Sequence, residues 1–192
     1  VTVGQVPACA LMESGNIYCW GSGYYGKMGN GEPWNDDYVN TEMRQVLLPE
    51  GQGGQTVSIS GGHICTILDN GDVYCWGRGN QGQLGYGGTS NRNIPTKVNL
   101  PGQRSAIAIS TGTFMTCAIT THGMGYCWGE NDEGQLGNGT TNSRRMTPAE
   151  VLFPSGYTPV SISAGDDFAC ALMDNRKVMC WGENNDGRLG QG

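Results

Sequence analysis

No run of basic residues occurs in this chain: its 11 lysines and arginines stand against 17 acids, the net charge is −6, and only Arg144-Arg145 and Arg176-Lys177 are adjacent cations. A protein that grips a phosphate backbone needs clustered positive charge, so nucleic acid is excluded as the expected partner. No apolar stretch approaches the roughly 18–20 residues of a membrane span. Val1 is not followed by a charged-then-apolar leader pattern, which implies either a removed leader or a piece of a longer chain. Chemistry-bearing motifs are also scarce. His63 and His122 are the two histidines; neither stands beside a G-x-S-x-G serine, and both read as packing or surface residues. A Gly-Lys-Ser/Thr phosphate loop is missing. "GSGYYG" (21–26) and "GRGNQG" (77–82) match the dinucleotide glycine pattern, but more glycines follow where a helix should open, so they read as turns. Asp36-Asp37, Asp166-Asp167 and "ENDE" (130–133) lack calcium-loop spacing and read as solvated loop acids. The expectation is a non-enzyme without metal or cofactor.

Glycine, in contrast, is abundant at 33 of 192 residues, far above the roughly 7% of average usage, and requires many backbone turns. The glycines belong to a repeat. "CALMESGNIYCWG" (9–21) is rewritten as "CTILDNGDVYCWG" (65–77), "CAITTHGMGYCWG" (117–129) and "CALMDNRKVMCWG" (170–182). A three-residue hairpin loop wants a left-handed glycine at its last position, which Gly15, Gly71 and Gly123 supply and Arg176 does not. With that loop, 68 faces 72, 67 faces 73, and Cys65 faces Cys75 on a non-hydrogen-bonded rung, where Cα atoms approach to about 4.5 Å. That lies within reach of a disulfide. The same arithmetic opposes Cys9 to Cys19, Cys117 to Cys127 and Cys170 to Cys180. Four cross-strand disulfides are expected, each closing a loop of about 11 residues worth about 2.8 kcal/mol of chain entropy. Zinc is the rival use of these thiols, disfavoured by the ten-residue spacing and the shortage of imidazoles; free cysteines in a reducing compartment are the other alternative.

Both faces of each hairpin are largely apolar, with Ile67 and Val73 beside the cysteines and Thr66 and Tyr74 opposite. A hairpin covered on both sides must be sandwiched, and the neighbours are other copies. "TVSIS" (56–60), "AIAIS" (106–110) and "VSISA" (160–164) precede the last three hairpins as small-apolar inner strands, and "VTVG" (1–4) stands ahead of the first. Proline-bearing tracts such as "IPTKVNLP" (94–101) suit an outer edge strand. Four strands per unit of about 52–56 residues make a propeller blade. The fold class is therefore all-β, with repeat 1 at 1–55, repeat 2 at 56–105, repeat 3 at 106–158 and repeat 4, without its outer strand, at 159–192. The four tryptophans Trp20, Trp76, Trp128 and Trp181 hold one repeat position and read as wedges between units.

"WGRGNQGQLGYGG" (76–88), "WGENDEGQLGNGT" (128–140) and "WGENNDGRLGQG" (181–192) resemble the regulator-of-chromosome-condensation repeat, a strand ending in Trp-Gly followed by a Gly-Gln-Leu-Gly turn. "WGSGYYGKMGNG" (20–31) is a variant of it. The resemblance implies a β-propeller, usually closed by seven blades, of which this chain is expected to be a segment; a ring of four blades is the alternative. The paired cysteines resemble those of the secreted branch. Nuclear members act as exchange factors through a wedge and acidic surface residues; the long connector 32–55 is the one candidate wedge. The expected role is an extracellular or cell-surface binding module whose partner is another protein, with Tyr24, Tyr25, Trp34 and Tyr38 as loop anchors. The alternative is a structural subunit of an extracellular fibre or surface assembly, with copies of the chain completing each other's blade edges. Asn138-Gly139-Thr140 is the single glycosylation sequon.

Overall fold

The computed structural model describes residues 2–3, 7–33, 39–141 and 144–190. They form four antiparallel sheets, each built from strands in chain order. The first contains β1 (Thr2–Val3), β2 (Ala8–Leu11), β3 (Ile17–Ser22) and β4 (Val39–Gln45). The second contains β5 (Gly54–Ile59), β6 (His63–Leu68), β7 (Val73–Gly77) and β8 (Arg92–Val98). The third contains β9 (Ala106–Thr111), β10 (Met115–Thr120), β11 (Gly125–Gly129) and β12 (Arg145–Glu150). The fourth has three described strands, β13 (Pro159–Ala164), β14 (Phe168–Met173) and β15 (Val178–Gly182). These are propeller blades, and among the described residues no helix is long and apolar enough to cross a membrane.

The central hairpin of each blade closes as its loop chemistry demands. Leu68 and Asp72 form the closing pair, Leu68 N–H donating to Asp72 O at 2.9 Å, and Gly71 N–H returns to Leu68 O at 2.8 Å. Gly15, Gly71 and Gly123 sit at φ +81°, +81° and +71°, and Arg176 takes the same left-handed conformation at φ +68°. The register sets Cys9 against Cys19, Cys65 against Cys75, Cys117 against Cys127 and Cys170 against Cys180. All four pairs are disulfides with Cα atoms 4.1 Å apart, slightly closer than the ideal rung.

At each Trp-Gly the pairing with the outer strand slips by a bulge, between Cys19 and Gly21, Cys75 and Gly77, and Cys127 and Gly129. The glycine takes a positive φ there, +101° at Gly77. A bulge of this kind bends the strand and re-aims its side chains. Three of the four indoles reach the glycine-rich turn of the preceding repeat: Trp76 Nε1 donates to Lys27 O at 2.9 Å, Trp128 Nε1 to Gln83 O at 2.8 Å and Trp181 Nε1 to Gln135 O at 2.9 Å. The outer strands β8 and β12 carry Pro95 and Pro148, at an edge where a missing N–H is tolerated.

The core is divided into three clusters, one at each joint between blades. The first brings the Cys9–Cys19 disulfide, Met28 and Val46 against Trp76. The second repeats it with Cys65–Cys75, Leu84 and Val98 against Trp128. The third has Cys117–Cys127, Leu136 and Val151 against Trp181. One repeat supplies the disulfide and the turn, and the next supplies the tryptophan.

Candidate functional site, a rim shared by successive blades

The loop after each Trp-Gly and the loop ahead of each second strand meet at one rim. Arg78 N–H donates to Gly62 O (2.9 Å), Glu130 N–H to Phe114 O (3.0 Å) and Glu183 N–H to Asp167 O (2.8 Å), so Arg78, Glu130 and Glu183 occupy one position in three blades. The side chains of Arg78 and Glu130 link one blade to the next. The Arg78 guanidinium lies 5.1 Å from the centroid of the Tyr25 ring and 4.8 Å from that of Phe114, joining repeats 1, 2 and 3 through cation–π contacts. Gln81 Nε2 donates to Glu130 Oε1 at 2.5 Å. Thr113 Oγ1 donates to Asp166 Oδ1, and Gln135 Nε2 to Asp167 Oδ1 at 3.4 Å.

Charge is distributed unevenly along this rim. Tyr24, Tyr25, Arg78 and Phe114, all half-buried, occupy the first part. Glu130, Asp132, Asp166, Asp167 and Glu183 occupy the second, where Arg188 pairs with Glu183 at 2.5 Å and with Asp186 at 2.8 Å. Partial burial raises the Glu130 carboxyl above its ordinary range, reinforced by Asp132 and Asp167. Burial likewise raises Asp167, followed by repulsion from Glu183 and Asp166. Glu130 and Asp167 are therefore not the freely solvated loop acids that their sequence surroundings imply, because folding partly buries them and sets other acids beside them.

Tyr24 and Tyr25 lie in a short 3-10 turn, Tyr24–Gly26, with ring centroids 3.9 Å apart and Tyr25 at φ +64°. Trp34, Tyr38, Asp36 and Asp37 lie outside the described residues, as does part of the connector 32–55. Arg78 and Phe114 were not singled out by the sequence reading; the signal available was their fixed place next to Trp-Gly and three residues ahead of a cysteine.

The imidazoles are placed for packing. His63 is fully buried, Nε2 lying 2.7 Å from Thr116 Oγ1 and Nδ1 3.1 Å from Ser60 Oγ. Thr116 Oγ1 already donates to Gln83 O at 2.9 Å, so His63 Nε2 must carry the proton and donate. Desolvation lowers its pKa to about 3. His122 is exposed in a hairpin loop, next to the Thr121 hydroxyl. Among the described residues no group of three or more His, Cys, Asp or Glu could hold a metal ion. Asn138 is half-buried in a glycine-rich turn, its Oδ1 accepting from Thr140 N–H at 3.1 Å and Thr140 Oγ1 at 2.7 Å.

The repeat also matches known proteins. Two models of the regulator of chromosome condensation (RCC1) repeat match, one over residues 70–119 and 122–172, the other over 8–27, 55–83, 106–135 and 160–188. The human E3 ubiquitin-protein ligase HERC2 is 33% identical over 190 residues, covering 95% of this chain and 4% of HERC2. The Arabidopsis thaliana ultraviolet-B receptor UVR8 is 32% identical over 192 residues, covering all of this chain and 42% of UVR8. The crystal structure of yeast RCC1 (Prp20) bound to Kap60 superposes with a TM-score of 0.81 at 22% identity, over 98% of this chain and 44% of that one. This chain thus spans less than half the length of each of these proteins. With family models matching more than half of its residues and four blades in register, the chain belongs to the regulator of chromosome condensation (RCC1) repeat family.

Proposed function

We propose that this chain is a non-enzymatic, protein-binding propeller working in an oxidising extracellular or cell-surface setting, and that its rim receives a positively charged segment of a partner protein. The observation that carries the reading is the convergence of side chains from four successive repeats on one rim, half-buried and richer in acid than in base. The raised pKa values of Glu130 and Asp167 favour the same partner, since a cation placed beside them offsets their desolvation and the repulsion from neighbouring acids. Four disulfides support the oxidising setting. Tyr24 and Tyr25, with Trp34 and Tyr38 of the first connector, are the aromatic anchors in this reading, and Asn138 is the acceptor of a glycan. Yeast RCC1 (Prp20) was crystallised with Kap60 bound to it, a case of a protein of this fold engaging another protein.

The test is fluorescence anisotropy with two labelled peptides of equal length, one rich in arginine and lysine, the other rich in glutamate. The basic peptide should bind, more weakly as salt rises, and at least tenfold more weakly to a Glu130→Gln/Asp167→Asn double variant. Equal affinity for both peptides, or no response to the double variant, rejects the rim as the docking surface.

A further inference from the structure

Two repeat positions face each other across the rim, and their chemistry changes from joint to joint. Tyr25, Gln81 and Glu133 hold the first, five residues after the tryptophan; Arg78, Glu130 and Glu183 of the following blade hold the second. At the first joint the Tyr25 ring meets the Arg78 guanidinium at 5.1 Å. At the second, Gln81 Nε2 donates to Glu130 Oε1 at 2.5 Å. At the third both positions are glutamates. The rim therefore has a direction, cationic and aromatic where it starts and acidic where it continues.

Arg78 is placed with care and left open. An added Cβ on Gly62 would stand 3.4 Å from both Cβ and Cδ of Arg78, so this glycine gives the arginine stem its bed and delivers the guanidinium to the Tyr25 and Phe114 rings. Of the three residues at the first position, Tyr25 alone takes a left-handed conformation, at φ +64°. That conformation is unfavourable for an L side chain, and strain of this kind collects at binding sites. Ring contacts use none of the guanidinium N–H donors, and none of these has an acceptor among the described residues. Glu130, whose carboxyl feels the Arg78 charge, is held instead by Gln81.

A cation flanked by two rings, with its planar donor fork unused, is preorganised for a planar anion that binds through two oxygens. A carboxylate balances Arg78 charge for charge. A phosphate dianion would exceed it and face Glu130 nearby, which disfavours it.

We propose that Arg78 receives an aspartate or glutamate side chain of the partner segment whose basic residues lie over Glu130 and Asp167, so that the segment runs along the rim in one direction. This rests on the reading of the rim as the docking surface for a basic segment and adds an acidic anchor to it. The reversed segment would set its carboxylate beside Glu130 and its cations beside Arg78. Two like-charge contacts then reject it.

Fluorescence anisotropy with three labelled peptides of equal length tests this: a lysine and arginine run preceded by two glutamates, the same run followed by two glutamates, and the run flanked by serines. One of the two glutamate peptides should bind about tenfold more tightly than the serine peptide, the scale of one charge-assisted hydrogen bond, and the other no more tightly. Arg78→Gln should abolish this gain, and Arg78→Lys, which keeps the charge without the fork, should lose most of it. Both variants should keep the dichroism of the parent chain and bind the serine peptide at least as well as it does. No gain from either glutamate order, or a gain that Arg78→Gln leaves intact, overturns the proposal; an equal gain in both orders overturns the single direction. If the serine peptide does not bind, the basic-segment reading has failed by itself. The glutamate-rich peptide then decides for Arg78: binding that Arg78→Gln removes upholds it as a carboxylate receptor, and no binding overturns it.

Discussion

At the scale of single residues, the hairpin turns show how backbone conformation alone sets a cost. Arg176 occupies at φ +68° the position that three glycines fill in the other repeats, and a left-handed conformation costs an L-residue about 1–2 kcal/mol. Glycine offsets part of that gain by its freedom in the unfolded chain. Arg176→Gly should therefore stabilise the protein by about 0.5–1 kcal/mol in urea unfolding, and a midpoint that stays or falls would contradict this. The converse change, Gly71→Ala, should destabilise, since its Cβ would lie 2.4 Å from that of Ser105. His63 makes a pH prediction. Folded, it protonates only near pH 3, whereas an unfolded imidazole does so near 6.5. Between those values the unfolded chain binds one more proton, so this contribution is complete above about pH 6.5 and is lost as pH falls toward 3, by up to about 1.4 kcal/mol per pH unit. His63→Gln should be less stable at pH 7 yet show a shallower decline between pH 6 and 4; equal slopes would reject the assignment.

Strands and joints carry the next level of consequence. Three disulfides are buried beneath a neighbouring blade and the fourth is not, so mild reduction should open Cys170–Cys180 first. Alkylation with mass mapping reads the order directly, and simultaneous loss of all four would show that exposure does not control access. Trp128→Phe removes one of two donors to Gln83 O, Thr116 Oγ1 being the other, and should cost about 0.5–1.5 kcal/mol for the lost hydrogen bond. Hairpin strands, their register and the opposition of the cysteines were legible in the sequence because each depends on a loop of three residues and a period of two. Contacts between repeats were not. That Arg78 lies between Tyr25 and Phe114 follows from how far one blade is rotated from the next, which no local pattern encodes. The same applies to Glu130 and Asp167, whose surroundings in sequence look like open loop and whose surroundings in space are other acids. His63, adjacent to two glycines, reads from its neighbours as a packing or surface residue, and the blade beyond it decides for packing.

For the molecule as a whole, contacts run from each blade to its neighbours, and stability should fall toward the open faces as in other linear arrays. Hydrogen exchange should be slowest in β6, β7, β10 and β11, and fastest in β14 and β15; uniform protection would indicate one cooperative unit. The all-β propeller class was legible from the repeat, since hairpins apolar on both faces need cover on both sides, which neighbouring copies of the same unit supply. The divided joint has a further consequence, for how such a chain can change over generations. Because every repeat carries a turn on one side and a tryptophan on the other, a tandem duplication of one unit inserts a blade whose two faces already fit. Gain or loss of whole repeats then requires no compensating substitution where the tryptophan meets the turn, and only the side chains that cross the rim have to adapt to a new neighbour.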